Sequence, residues 1–147
     1  MAATKYEWLG WQSGHGVTWI SNTDQRRMQT FTIGTVGVNE SFYAYSIKVY
    51  LDKLNSPTGS MYFDIMAVDG DGLPTGSALC TVSKANADIS TTAAWYELIF
   101  ASGALLQEST QYAIVARATG CSSGNHVAWN HKSGAGYTGG QALNSED

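Results

Sequence analysis

The feature that most limits what this chain can become is an alternation of apolar and polar residues with a period of two. It recurs along the length of the chain, with no helical period over any useful stretch. In Ser46-Ile47-Lys48-Val49-Tyr50-Leu51-Asp52, the side chains of Ile47, Val49 and Leu51 leave one face and those of Lys48, Tyr50 and Asp52 the other. That is the pattern of a half-buried strand. Segments 28–33, 61–68, 78–83, 95–100, 111–118 and 127–131 read as further strands. Turn formers separate them: Asn55-Ser56-Pro57-Thr58-Gly59, Asp69-Gly70-Asp71-Gly72-Leu73-Pro74 and the Gly- and Ser-rich stretch 120–124. These connections lack the length and pattern of crossover helices, so neighbouring strands are expected to run antiparallel.

Strands that each bury one face pack as two sheets with their inner faces together. The expected fold is therefore all-β, a two-sheet antiparallel β-sandwich of jelly-roll-like or Greek-key form. Its inner faces should carry Phe31, Ile33, Ile47, Val49, Leu51, Phe63, Ile65, Tyr96, Leu98, Phe100, Tyr112 and Ile114. Thr32, Lys48, Tyr50, Asp64, Glu97 and Arg117 alternate with these and should face solvent or a partner, while Leu105 and Leu106 should plug one end. Residues 1–27, which lack clean alternation, form an N-terminal arm or edge segment that could wrap the sandwich, pair at a sheet edge or reach a neighbouring molecule. Residues 28–147 form the single sandwich domain.

Composition agrees and excludes several classes. A chain of 147 residues is one domain, long enough to hold a core without staples. Ser, Thr, Gly and Asn supply 52 residues, a balance that suits short strands and many polar turns. The net charge of -4, with scattered lysines and Arg26-Arg27 as the one adjacent basic pair, offers no groove for nucleic acid; the two arginines read as a solvated turn with Asp24. No apolar run is long enough for a membrane helix, so membrane insertion is not expected. The first residues carry no hydrophobic secretory segment, which suggests a signal already removed or release by another route, for example within a virus particle.

Several segments in this order resemble a known family. They are Gln29-Thr30-Phe31-Thr32, Ile47-x-Val49-x-Leu51, the turn Asp69 through Pro74 with Thr75-Gly76, Trp95-Tyr96-Glu97-Leu98-Ile99-Phe100, Thr110-Gln111-Tyr112-Ala113-Ile114-Val115, and Tyr137-Thr138-Gly139-Gly140-Gln141-Ala142. Together they look like the choice-of-anchor-like β-sandwich domains of prokaryotic surface proteins and phage structural proteins. The resemblance runs from about Gln29 to Ala142 and implies a non-enzymatic module for display, adhesion or particle architecture. It supplies no catalytic residues. Family members usually continue into a further strand, so here the last sheet would be completed by the N-terminal segment or another chain.

The residues themselves offer little for catalysis. No Gly-x-Ser-x-Gly elbow, His-Glu-x-x-His pair or phosphate-binding loop is present, and the acidic side chains are dispersed, so an enzyme is not expected. His15 sits between two glycines. Cys121, His126 and His131 have a loose zinc-like spacing, but His126 and His131 differ by five positions and would leave opposite faces of one strand. Calcium is the metal better suited: Asp69 and Asp71 offer two carboxylates beside flexible carbonyls, although the same residues also make a tight turn. Cys80 and Cys121 could form one bridge if the fold brings them together, and Asn39-Glu40-Ser41 matches a glycosylation sequon.

Aromatic residues carry most of the functional information. Trp8, Trp11 and Trp19 crowd the first twenty positions and are candidates for subunit contact, since Trp and Tyr concentrate binding energy at interfaces. Trp129 and Tyr137, with Asn130 and His131, are candidates for a ligand edge at which a ring stacks on a sugar and polar groups hold its hydroxyls. Two readings follow. The first is a non-catalytic structural or display protein, a virion-surface decoration or tail component acting through contacts with other subunits, as a homo-oligomer or on a larger assembly. The alternative is an extracellular carbohydrate-binding or adhesion module of a larger protein.

Overall fold

The computed structural model describes the backbone of residues 15–132 and 137–146, and the side chains of 19–130 and 137–142. The strands in chain order are β1 (His15–Ile20), β2 (Gln25–Thr32), β3 (Phe42–Leu54), β4 (Ser60–Val68), β5 (Pro74–Ala85), β6 (Ala94–Leu106), β7 (Gln111–Ala118), β8 (His126–Lys132) and β9 (Ala142–Glu146). A single 3-10 turn, Asn86–Asp88, follows β5. The strands form a four-stranded sheet in the order β1-β8-β3-β6 and a five-stranded sheet in the order β5-β4-β7-β2-β9, with every pairing antiparallel. The first eight strands in these orders make a jelly roll, two interleaved Greek keys closed face to face. Among the described residues no helix is long and apolar enough to cross a membrane.

The alternation in the sequence becomes the core. Val49, Leu51 and Leu98 from one sheet meet Met61, Phe63 and Ala116 from the other, joined by Ile20, Ile89 and Val127. A second cluster of Ile33, Ile65, Cys80, Phe100, Ala104, Leu106 and Tyr112 fills the other half of the slab. All twelve residues expected on the inner faces are buried or half-buried. Of the two leucines expected to plug an end, Leu106 is buried, whereas Leu105 points outward and is exposed.

Three expectations change. Asp64 is buried on the outer face of the five-stranded sheet, because Thr81 Oγ1 donates to its Oδ1 at 2.6 Å and Arg117 Nε to its Oδ2 at 3.1 Å. Arg27 is no part of a solvated turn: it lies on β2, is buried, and its Nε donates to the Trp19 carbonyl at 3.2 Å, tying the two sheets together. The last sheet is closed by the chain's own β9, which pairs with β2. Residues 137–141 lead into it over β2, where the Thr30 N–H donates to the Gln141 carbonyl at 3.0 Å and a Cβ at Gly140 would run into the Thr30 carbonyl. The segment before residue 28 contributes β1, an edge strand on β8, and the first residues of β2, so β2 runs across the expected arm boundary.

Candidate functional site

Of the four residues expected at a ligand edge, the three whose side chains are described do not meet. Trp129 is half-buried and turned inward against the core, its ring meeting Phe63 edge-on with centroids 5.5 Å apart. Asn130, next along β8, leaves the opposite face and is buried, with neither amide atom hydrogen-bonded. Tyr137 belongs to the other sheet: its hydroxyl accepts from the Thr32 N–H at 3.1 Å. The side chain of His131 lies outside the described residues. Neighbours on a strand point oppositely, so Trp129 and Asn130 could not share a face.

The Asp69–Asp71 turn is self-contained. Asp69 Oδ1 accepts from the N–H groups of Asp71 and Leu73, each at 3.0 Å, and its N–H donates to the Leu73 carbonyl at 2.9 Å. This is an Asx turn closing the hairpin between β4 and β5. Asp71 lines an open polar depression of about 590 Å³ with Thr30, Thr32, Gln111 and Gln141. Among the described residues no three His, Cys, Asp or Glu side chains are grouped to hold a metal ion.

Cys80 and Cys121 are both free thiols. Burial, with the Asp64 carboxylate adding to it, outweighs a backbone hydrogen bond at Ile65 and pushes Cys80 from 9.0 to about 11. Burial also raises Cys121. His126 is buried, its Nδ1 3.1 Å from the Ser123 carbonyl and its ring edge-on to Trp19 at 4.4 Å. Asn39, the sequon residue, is engaged by the turn after β6: its Oδ1 accepts from the Ser109 N–H at 2.8 Å.

What the fold does assemble is an aromatic and aliphatic surface on the outer face of the four-stranded sheet. Register pairs Tyr43 with Leu105, Ser46 with Ile99, Lys48 with Glu97 and Tyr50 with Trp95 across β3 and β6. Ser46, Lys48, Tyr50, Trp95, Glu97 and Ile99 project away from the core because Ile47, Val49 and Leu98 between them project into it, and Tyr43 and Leu105 do so because Phe42, Ala44, Ala104 and Leu106 beside them face the second cluster. A bulge between Ala44 and Ser46 throws Tyr45 onto the same face, stacked beside Tyr43 with centroids 6.2 Å apart. Ile99 is 72% exposed, Tyr45 61%, Tyr43 55%, and Trp95 and Leu105 44% each.

The rings are held rather than splayed. Tyr50 and Trp95 lie 5.1 Å apart, and Lys48 sets its ammonium over the Trp95 ring at 5.9 Å. The Glu97 carboxylate accepts from Ser46 Oγ at 3.1 Å. Trp19, expected at a subunit contact, is exposed on β1 at the far side of this sheet, opposite Ala128 in register. Trp8 and Trp11 lie outside the described residues. Exposure on this face is concentrated on β3 and β6, since the outward residues of β8, His126, Ala128 and Asn130, are all buried.

The alternation around Ile47 and Leu98 assigns Lys48, Tyr50, Glu97 and Ile99 outward, but Tyr43 and Tyr45 escape that rule because the bulge between Ala44 and Ser46 shifts its phase, and Leu105 reads by composition as an end plug.

No family model matches the chain, and no curated protein matches it. Among solved structures, a CocE/NonD family hydrolase from Staphylococcus aureus is similar over 88% of this chain and 32% of its own, with 11% identity and a TM-score of 0.49. The chain thus spans about a third of that hydrolase's length.

Proposed function

We propose that this chain is a non-catalytic structural or display protein, a virion-surface decoration or tail component that works through subunit contact. The observation that supports this reading best is the stripe of Tyr43, Tyr45, Trp95, Ile99 and Leu105 on the outer face of the four-stranded sheet. Five such side chains, each about half exposed, present roughly 500 Å² of surface along β3 and β6, with the Lys48–Glu97 pair set between Trp95 and Ile99. A patch of this size is about the largest an ordinary monomer exposes, and such patches are often functional. The band is built on two long strands, so its geometry is set before any partner arrives.

The jelly roll itself serves both capsid and lectin domains, so the argument rests on the surface and not on the architecture. The resemblance to choice-of-anchor-like surface and phage structural domains points the same way. Ile99→Asp is the direct test, because the side chain is already 72% exposed and a carboxylate there leaves the core untouched. The variant should keep its melting temperature and fail to sediment with particles from the native source. An Ile99→Asp chain that sediments like wild type overturns the reading.

A further inference from the structure

We infer that the occupant of this surface is a second copy of the same chain, docked face to face about a two-fold axis. The inference rests on the structural reading above and adds the partner to it. Two observations carry it.

The first is charge. The band holds one cation, Lys48, and one anion, Glu97, directly opposite each other in register on β3 and β6. Among the described residues no ion pair joins them: Lys48 lies over Trp95 and Glu97 accepts from Ser46. A two-fold axis parallel to the strands, midway between β3 and β6, sets β3 of one copy over β6 of the other at the same height. Lys48 then faces the partner's Glu97 and Glu97 faces the partner's Lys48. By the same operation Tyr50 faces the partner's Trp95, and Tyr43 faces the partner's Leu105. Each cross-strand pair is thus reproduced between the copies. A surface with matched opposite charges astride one line is complementary to itself, which is the requirement of an isologous interface. A partner surface carrying charge of a single sign would leave one of the two charges facing its like.

The second is area. The five apolar side chains contribute roughly 500 Å² on each copy. With Tyr50, Lys48 and Glu97 added, the pair of faces exceeds the ~1,000 Å² that a specific interface needs and stays at the lower end of the stable range. The buried outward residues of β8 end the exposed band at β3, so the axis belongs between β3 and β6 and not at the centre of the sheet.

Charge reversal tests the register directly. K48E gives a face with two carboxylates and E97K one with two cations. In sedimentation velocity of the full chain from about 1 to 100 μM, wild type should show a reversible dimer. K48E and E97K alone should each associate at least about tenfold more weakly, and an equimolar mixture of the two should dimerise within about threefold of wild type. Both variants should stay folded, since both positions are exposed, and each should melt only a few degrees below wild type because like charges then face each other across β3 and β6. A wild type monomeric at 100 μM, single variants that dimerise normally, or a mixture that stays monomeric would each overturn the second-copy assignment. The broader reading is separated by particle sedimentation. A monomeric wild type whose attachment is still lost in Ile99→Asp keeps the structural role and replaces the second copy with another protein. Unchanged attachment ends both.

Discussion

Asn86 holds one end of the sandwich together, and removing its side chain is a stringent test of that end. The residue is fully buried after β5, and its Nδ2 donates to the Thr58 carbonyl at 2.6 Å and the Thr119 carbonyl at 2.9 Å. Its backbone N–H donates to the Gly59 carbonyl at 3.0 Å, and Lys53 Nζ closes over the Asn86 and Ala87 carbonyls. Three loops therefore meet on one amide. They meet closely: Gly120 has φ +68°, and a Cβ there would strike the Thr58 carbonyl. Asn86→Ala leaves two carbonyls without their donor, at about 1–3 kcal/mol each. Partial re-pairing with backbone or water brings the expected loss to about 3 kcal/mol, or a fall in melting temperature of roughly 10 °C for a domain of this size. Urea denaturation followed by circular dichroism should show a lower midpoint with an unchanged slope. Asn86→Asp keeps the shape but turns an acceptor toward two carbonyls, so it should be no more stable than Asn86→Ala. A shift under about 2 °C for Ala, or an Asp variant as stable as wild type, would refute the clamp.

Asp64→Ala should cost about 2 kcal/mol, because it removes a buried carboxylate bonded by Thr81 and Arg117, while Arg117 keeps its place over the Tyr62 ring; chemical denaturation checks this. Cys80, held near 11 from 9.0, carries about 100-fold less thiolate at neutral pH than an ordinary thiol and should label at least that much more slowly with iodoacetamide. The same shift favours the neutral thiol in the folded state. Its stabilisation is complete below pH 9 and is lost as the pH rises toward about 11, so Cys80→Ala should flatten the alkaline fall in stability. Calcium at millimolar concentration should leave the melting temperature within about 1 °C of that in chelator, since the Asx turn already engages Asp69; a rise of several degrees would establish a site at Asp69 and Asp71.

The slab was legible because its signal is local. Segment 111–118 alternates cleanly and is β7 to the residue, and the inner-face residues around Val49, Phe63 and Phe100 follow from period two alone. What escaped depends on contacts distant in sequence. Ala142–Glu146 has neither β-branched nor aromatic side chains and is a strand because β2 offers it an unpaired edge. β3 and β6 run beyond their readable cores because the Tyr45 bulge lets the alternation resume out of phase. Arg27 and Asp64 were misplaced for one reason: a charged side chain at a polar position reads as solvated until its partner, Trp19 or Arg117, is seen beside it. Trp129 was misjudged in the same way, as neighbouring polar residues suggested a ligand edge while its ring packs on Phe63. Asn86 carries no sequence signal, since a buried clamp and a turn asparagine look identical in one dimension.

Oxidative footprinting of the wild-type chain under associating and dilute conditions tests the claim that function lies on the outer face of β3 and β6. Tyr43, Tyr45, Trp95 and Ile99 should lose labelling on association. Leu73 and Leu79, exposed at the other sheet's edge hairpin, should label equally in both states. Protection at Leu73 and Leu79 with unchanged labelling of the β3–β6 band would contradict the account.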